Sequence, residues 1–148
     1  MRMKRDATSA TSLPIQPDGW PRGRGYAHAL KIPAGHDLLL TAGQIGWDEN
    51  EALVSEDFVE QFGQALRNCV TLVESAGGRV EHIVRLTMFC RDKRRYLDRL
   101  ADVGRAYREV MGRHYPAMSL VIVADLVEDG AWIEIEATAA IPPIGGDA

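Results

Sequence analysis

The sequence predicts an α+β fold in the order β-β-α-β-α-β-β. Three observations carry that reading. Two stretches, Phe58–Val73 and Tyr96–Val110, repeat apolar residues at three- and four-residue steps. Val84–Cys90 and Ile133–Ala137 alternate with period two. Glycine and proline signals at Pro33-Ala34-Gly35, Gly77-Gly78 and Gly112–Pro116 separate the elements. The 148 residues amount to one domain, at roughly 150 residues per domain. We place that domain at residues 18–141, between loose segments at 1–17 and 142–148.

The elements follow in chain order. His28–Ile32 and Leu38–Ala42 are short strands, and Pro33-Ala34-Gly35-His36-Asp37 between them reads as a hairpin turn. Ser55 or Asp57 caps the first helix. Its apolar stripe is Phe58, Phe62, Ala65, Leu66, Cys69 and Val73, and Gly77-Gly78 ends it. In the strand Val84–Cys90, the residues Val84, Leu86, Met88 and Cys90 share one face. Asp92 caps a second helix, with Tyr96, Leu100, Val103, Tyr107 and Val110 at helical spacing and Gly112 and Pro116 at its end. Ser119–Ala124 and Ala131–Ile141 are the last two strands.

Two helices cover one face of a small sheet. The strand Leu120–Val123 is apolar on both faces, and such strands are usually buried on both sides. With no third helix to supply the second cover, we expect another copy of the chain to supply it. The alternative cover is the N-terminal segment.

Composition narrows the function classes. The chain is 46% hydrophobic and 26% charged, enough apolar material for a core. The net charge of −4 disfavours nucleic-acid binding, which rests on neutralising phosphates. Cys69 and Cys90 form no C-x-x-C pair, so a zinc site and a disulfide scaffold are not expected, and the expected compartment is the cytoplasm. His28, His36, His82 and His114 lack ligand spacing, so no metal is expected. No secretory signal is read in Met1–Pro17, and no run approaches the roughly 18 apolar residues of a membrane span.

Glu134 and Glu136 share one face of an otherwise apolar strand. Such a carboxylate either lines a cleft, where it can hold a water or move a proton, or sits on a solvated edge. Gly43-Gln44 directly follows a strand and reads either as a close backbone approach or as a simple turn. The loop Trp20-Pro21-Arg22-Gly23-Arg24-Gly25-Tyr26 carries two arginines able to grip a carboxylate, or is an exposed loop. Ser119 has no nucleophile-elbow context, and both cysteines read as packing residues.

An ordered set of motifs resembles the RidA family, also called YjgF or L-PSP: Gly25-Tyr26, Thr41-Ala42-Gly43-Gln44-Ile45, Gln64-Ala65-Leu66-Arg67-Asn68, Glu74-Ser75-Ala76-Gly77-Gly78, Val84-Arg85-Leu86-Thr87-Met88-Phe89, Tyr107, Pro116-Ala117 and Ile133-Glu134-Ile135-Glu136-Ala137. The resemblance implies a chorismate-mutase-like fold and a homotrimer, with a central barrel and clefts between subunits. It also implies hydrolysis of enamines and imines such as 2-aminoacrylate to 2-keto acids and ammonia, without a metal or organic cofactor. By position it makes Glu134 the water-orienting acid and Tyr26 the tyrosine at the cleft. Leu120 then supplies backbone polar groups, and Gly43 and Gln44 form the cleft wall.

One position departs from the pattern. Typical deaminating members have arginine after Pro-Ala, where this chain has Met118. Methionine cannot pair with a substrate carboxylate, a loss of about 1.5–3 kcal/mol of binding. Leu120 stands where cysteine is common. The reading is therefore a deaminase of a different imine, a 2-imino acid or a 2-aminomuconate-like compound, with Arg22 or Arg24 as anion grip. The loop around them looks like that of 2-aminomuconate deaminases. The alternative is a non-catalytic small-molecule sensor or partner-binding trimer. An endoribonuclease, an activity attributed to some members, sits poorly with the acidic balance.

Overall fold

The structure is a computed structural model that describes residues 12–143. Its strands are β1 (Leu13–Ile15), β2 (Ala29–Lys31), β3 (Asp37–Leu40), β4 (Ile83–Cys90), β5 (Ala117–Ile122) and β6 (Ile133–Ile141). Its helices are α1 (Phe58–Ser75), α2 (Lys93–Leu97) and α3 (Leu100–Met111), with a single 3-10 turn at Val80–His82. The main sheet runs β3-β6-β4-β5. In it β6 is antiparallel to both β3 and β4, while β5 is parallel to β4 because the chain returns to it through α2 and α3.

Helix α1 forms where its stripe was expected. Asp57 caps it, its carboxylate accepting from the Val59 and Glu60 N–H groups at 3.0 and 3.1 Å. Ser55 holds that cap through a 2.9 Å bond from the Asp57 N–H. Gly77, at φ +83°, turns the chain after the last helical residues. Phe62, Leu66, Cys69 and Val73 are fully buried against Leu86, Ile133 and Ile135 of the sheet. Gln61 is the polar exception in this core. Its amide donates to the Ser55 and Gly130 carbonyls and accepts from the Trp132 N–H, so all three contacts tie α1 to the loops before it and before β6.

Four expectations need correction. The first two strands do not form a hairpin: β2 pairs with β1 in a separate two-stranded ribbon, and β3 pairs with β6. The long alternating β6 offers β3 a core-facing partner, placing Leu39 beside Ala139. Part of the expected loose N-terminal segment is a strand, since Leu13–Ile15 is β1; proline is tolerated on such an exposed ribbon. Residues 1–11 and 144–148 lie outside the described residues. The expected second helix is broken at Asp98–Arg99, where Arg99 leaves helical geometry and its guanidinium bridges Asp57 and Asp102 at 3.1 and 2.7 Å. Strand β5 begins at Ala117, two residues earlier than expected, and ends at Ile122.

The register sorts the sheet into two faces. Leu86, Met88, Met118, Leu120, Ile133 and Ile135 point towards the helices. Leu38, Leu40, Thr87, Phe89, Val121, Glu134 and Glu136 point away from them. No described element covers that second face: Leu38 and Leu40 are 65% and 72% exposed, and Val121 is 44% exposed. The described part of the N-terminal segment joins β5 at its start, where Ala27 bridges Ala117. Among the described residues, no helix is long and apolar enough to cross a membrane.

Candidate functional site

The residues singled out by sequence fall on two sides of the main sheet. On the helix side, Arg24, Tyr26, Met118 and Leu120 line one pocket of about 720 Å³. Strand period two sends Met118 and Leu120 the same way, and register with Leu86 and Met88 fixes that direction towards the core. The inner wall is Phe62, Met88, Val103 and Tyr107. Tyr107 is held by its hydroxyl, which donates to the His114 carbonyl at 2.6 Å, and its ring stacks on Tyr115 at 5.2 Å. Burial pushes the Tyr107 hydroxyl far above the ordinary tyrosine pKa, so it remains a neutral donor.

Arg22 lies in a neighbouring pocket of about 800 Å³, with His28, Arg113 and His114. Tyr26 and Tyr115 border both spaces. His28 orders this corner: its Nε2 meets the Pro21 carbonyl at 2.8 Å, and Trp20 and Tyr26 each stand edge-on to it at 5.4 Å.

Glu134 and Gly43 lie together on the opposite face. Gln44 exchanges backbone hydrogen bonds with Ile135, both at 2.8 Å, which brings Gly43 beside Glu134. A methyl group on Gly43 would collide with the Glu134 carboxylate, 2.7 Å from Cδ and 2.8 Å from Cγ. The Glu134 carboxylate can lie over this backbone only while position 43 carries no side chain. The Gln44 amide turns back to the Ala42 carbonyl at 3.2 Å, so this residue contributes mainly through its backbone.

The two glutamates are not equivalent. Glu134 is partly buried in a row with Phe89 and Val121, while Glu136 is exposed in a row with Thr87 and Ser119. Among the described residues, neither forms an ion pair. A carboxylate seated in an apolar row is chemically useful where water is scarce, because there a held water has few competing partners.

Cys69 and Cys90 take no part in either pocket. Burial pushes the Cys69 thiol up to about 12, and its Sγ contacts the Ile135 carbonyl at 3.3 Å. Among the described residues, no group of three or more His, Cys, Asp or Glu side chains is placed to hold a metal ion.

Sequence reasoning did not single out Arg108 and Gly104 of α3, which also line the 720 Å³ pocket. Their signal was present. Leu100, Gly104 and Arg108 recur every four residues, forming a ridge beside the buried stripe Val103-Tyr107.

Comparison with known proteins adds a family context. The model of the family described as Endoribonuclease L-PSP matches residues 22–141. A RutC family protein of Pasteurella multocida is 39% identical over 126 residues, covering 84% of this chain and 95% of that protein. The 2-iminobutanoate/2-iminopropanoate deaminase of Salmonella typhimurium is 39% identical over 105 residues, 69% of this chain and 78% of the relative. Among solved structures, a Rid-family protein from Yersinia pestis superposes with a TM-score of 0.78 at 28% identity, covering 88% of this chain and 99% of that one. The YjgF gene product of Escherichia coli gives 0.61 at 34% identity, with 87% and 98% covered.

Proposed function

The chain belongs to the endoribonuclease L-PSP family, and from that premise we propose that it is a hydrolytic deaminase of a reactive enamine or imine. The observation that carries the reading is the seat of Glu134, a carboxylate in an apolar strand row, accommodated by the bare backbone of Gly43. The likeness to deaminases of 2-iminobutanoate and 2-iminopropanoate supports the reaction class.

The reaction adds water to the C=N of an iminium, which a neutral imine reaches by taking a proton on nitrogen and an enamine by taking one from solvent at its β-carbon, and releases ammonia. Water held by Glu134 forms a bond from its oxygen to the imine carbon, and Glu134 takes the proton. That proton passes to the nitrogen of the tetrahedral carbinolamine. The C–N bond of the resulting ammonium then breaks with its electron pair leaving on ammonia, and the hydroxyl gives its proton to the Glu134 carboxylate as it becomes the carbonyl. The carbon is electrophilic from the start, so placement of water and substrate is the main task of the protein.

Within one chain, Glu134 and the Met118–Leu120 wall face opposite sides of the sheet. A site that uses both is therefore built between copies. We propose a homotrimer in which the uncovered face bearing Leu38, Leu40 and Val121 packs against a neighbour. The acid of one subunit then meets the pocket of the next, with Tyr26 at its border.

Met118 favours a second reading, a trimer that binds small molecules without turning them over, since the strand lacks a cation for a short imino acid. An endoribonuclease is not favoured by the net charge of −4.

Ammonia release from freshly generated 2-aminoacrylate, 2-iminobutanoate and 2-aminomuconate tests the proposal, with wild type and Glu134→Ala compared and the oligomer measured by sedimentation. Acceleration by a trimer, lost in Glu134→Ala, is expected. Activity that survives the substitution would remove Glu134 from the mechanism. No acceleration on any of the three would leave the binding reading.

A further inference from the structure

The pocket that holds Met118 lacks a cation on its β5 wall but not elsewhere. Arg24 enters from the loop before β2, and Arg108 enters from α3. Among the described residues, no aspartate or glutamate lines this pocket. Among the described residues, Arg24 and Arg108 form no ion pair, whereas Arg91, Arg95, Arg99 and Arg105 each do.

Local geometry favours Arg108 in particular. Gly104 lies one turn before it on the same ridge, and a methyl group there would come within 3.3 Å of the Arg108 Nη1. The guanidinium thus lies back across α3, over the space that the glycine leaves. A glycine inside an exposed helix costs about 0.5–1 kcal/mol relative to alanine, a cost without structural return unless the space is used. Apart from Ser119 and the two glycines, the rest of the wall is apolar or aromatic. Within one chain this open pocket measures about 720 Å³, inside the range of roughly 300–1,000 Å³ typical of sites for organic ligands.

We propose that Arg108, together with Arg24, is the anion anchor of this pocket, and that its ligand is a carboxylate-bearing imine or enamine with an extended apolar or conjugated body. The inference deepens the deaminase reading and rests on it for the word imine. Guanidinium matches carboxylate with two parallel hydrogen bonds, and the aromatic wall accepts a flat carbon skeleton. With the cation moved from the sheet to the helix, the carboxylate is held away from β5, so a short 2-imino acid does not span the pocket.

Titration calorimetry of the full chain with trans-cinnamate, cinnamamide and pyruvate tests this directly. Cinnamate is expected to bind at least tenfold tighter than both the neutral amide and the short acid. Arg108→Gln is expected to lose at least tenfold for cinnamate and to leave cinnamamide within twofold, which also shows that the pocket is intact. Arg108→Lys, which keeps the charge and loses the fork, should fall between them, and Arg24→Gln should weaken cinnamate as well. Equal binding of cinnamate and its amide, no binding of cinnamate, or unchanged binding by Arg108→Gln would each overturn the anchor. Ammonia release from 2-iminobutanoate and 2-aminomuconate separates the two ideas. Charge-selective cinnamate binding with no release from either would sink the deaminase reading alone, and release without charge selectivity would sink the anchor alone.

Discussion

Replacing Gly43 by alanine isolates the seat of Glu134. The added methyl would lie 2.7–2.8 Å from Cδ and Cγ of Glu134 and closer still to its Oε1. Contacts so short require the carboxylate to swing aside. The backbone at Gly43 does not need a positive φ, so alanine suits its conformation. Restricting the unfolded chain contributes about 0.4–1 kcal/mol in favour of the variant. The group that must move is the end of a flexible side chain rather than backbone, so net stability should change by less than about 1 kcal/mol. That corresponds to a shift of a few degrees, at about 2–4 °C per kcal/mol for a protein near this size. Displacing a proton-transfer group by an ångström costs on the order of 100-fold in rate. We therefore expect ammonia release by Gly43→Ala to fall about 100-fold with a nearly unchanged melting temperature. In a Glu134→Ala background the same substitution should have no further effect, because the atoms it strikes are gone. Calorimetry and steady-state kinetics on the four proteins of this cycle decide the matter. Full activity in Gly43→Ala, or equal damage with and without Glu134, would refute the argument.

Two further outcomes follow from the geometry. Met118→Arg places a guanidinium on the β5 wall of the pocket and should lower KM for 2-iminobutanoate by roughly 10- to 100-fold, the equivalent of about 1.5–3 kcal/mol; an unchanged KM would show that more of the wall than one anchor has been altered. The Asp57–Arg99–Asp102 cluster should make stability fall in acid. For Asp57, burial pushes the carboxyl up, but the Glu60 and Val59 N–H groups and the Arg99 guanidinium outweigh it and hold it below the ordinary value of 3.8. For Asp102, hydrogen bonding to Arg99 is the main cause of the same shift. Carboxyls depressed in the folded state contribute stability above their unfolded pKa, and that contribution is lost as pH falls through the lower folded value. Arg99→Gln should thus flatten the loss of melting temperature below about pH 4, which thermal scans from pH 7 to 3 would read.

Local patterns told most about the parts of the chain that obey them. The stripe Phe58-Phe62-Ala65-Leu66-Cys69-Val73 is the buried side of α1, and the alternation Ile133-Glu134-Ile135-Glu136 separates core from open face in β6. The break at Arg99 was not legible, because its periodicity runs on unbroken. At the break, the Arg99 guanidinium reaches 42 residues back in sequence to the cap of α1, a contact that no local pattern announces. The false hairpin has a similar origin: two short strands with a turn between them look paired, but β2 found its partner earlier in the chain, in β1, and β3 found one far later, in β6.

The sequence by itself determined the class of fold, the family, the core side of each long element and the presence of one acid pair on an apolar strand. Periodicity does this because each residue's face is set by its neighbours within a few positions. Only the tertiary structure decided that Glu134 and Met118 lie on opposite sides of one sheet, that Glu134 lies over the bare backbone of Gly43, and that Arg108 shares a pocket with Arg24. The last two relations join residues 91 and 84 positions apart, and the first joins residues 16 apart on two strands of one sheet. They depend on strand register and helix placement, which are set by burial of the whole core rather than by any segment alone.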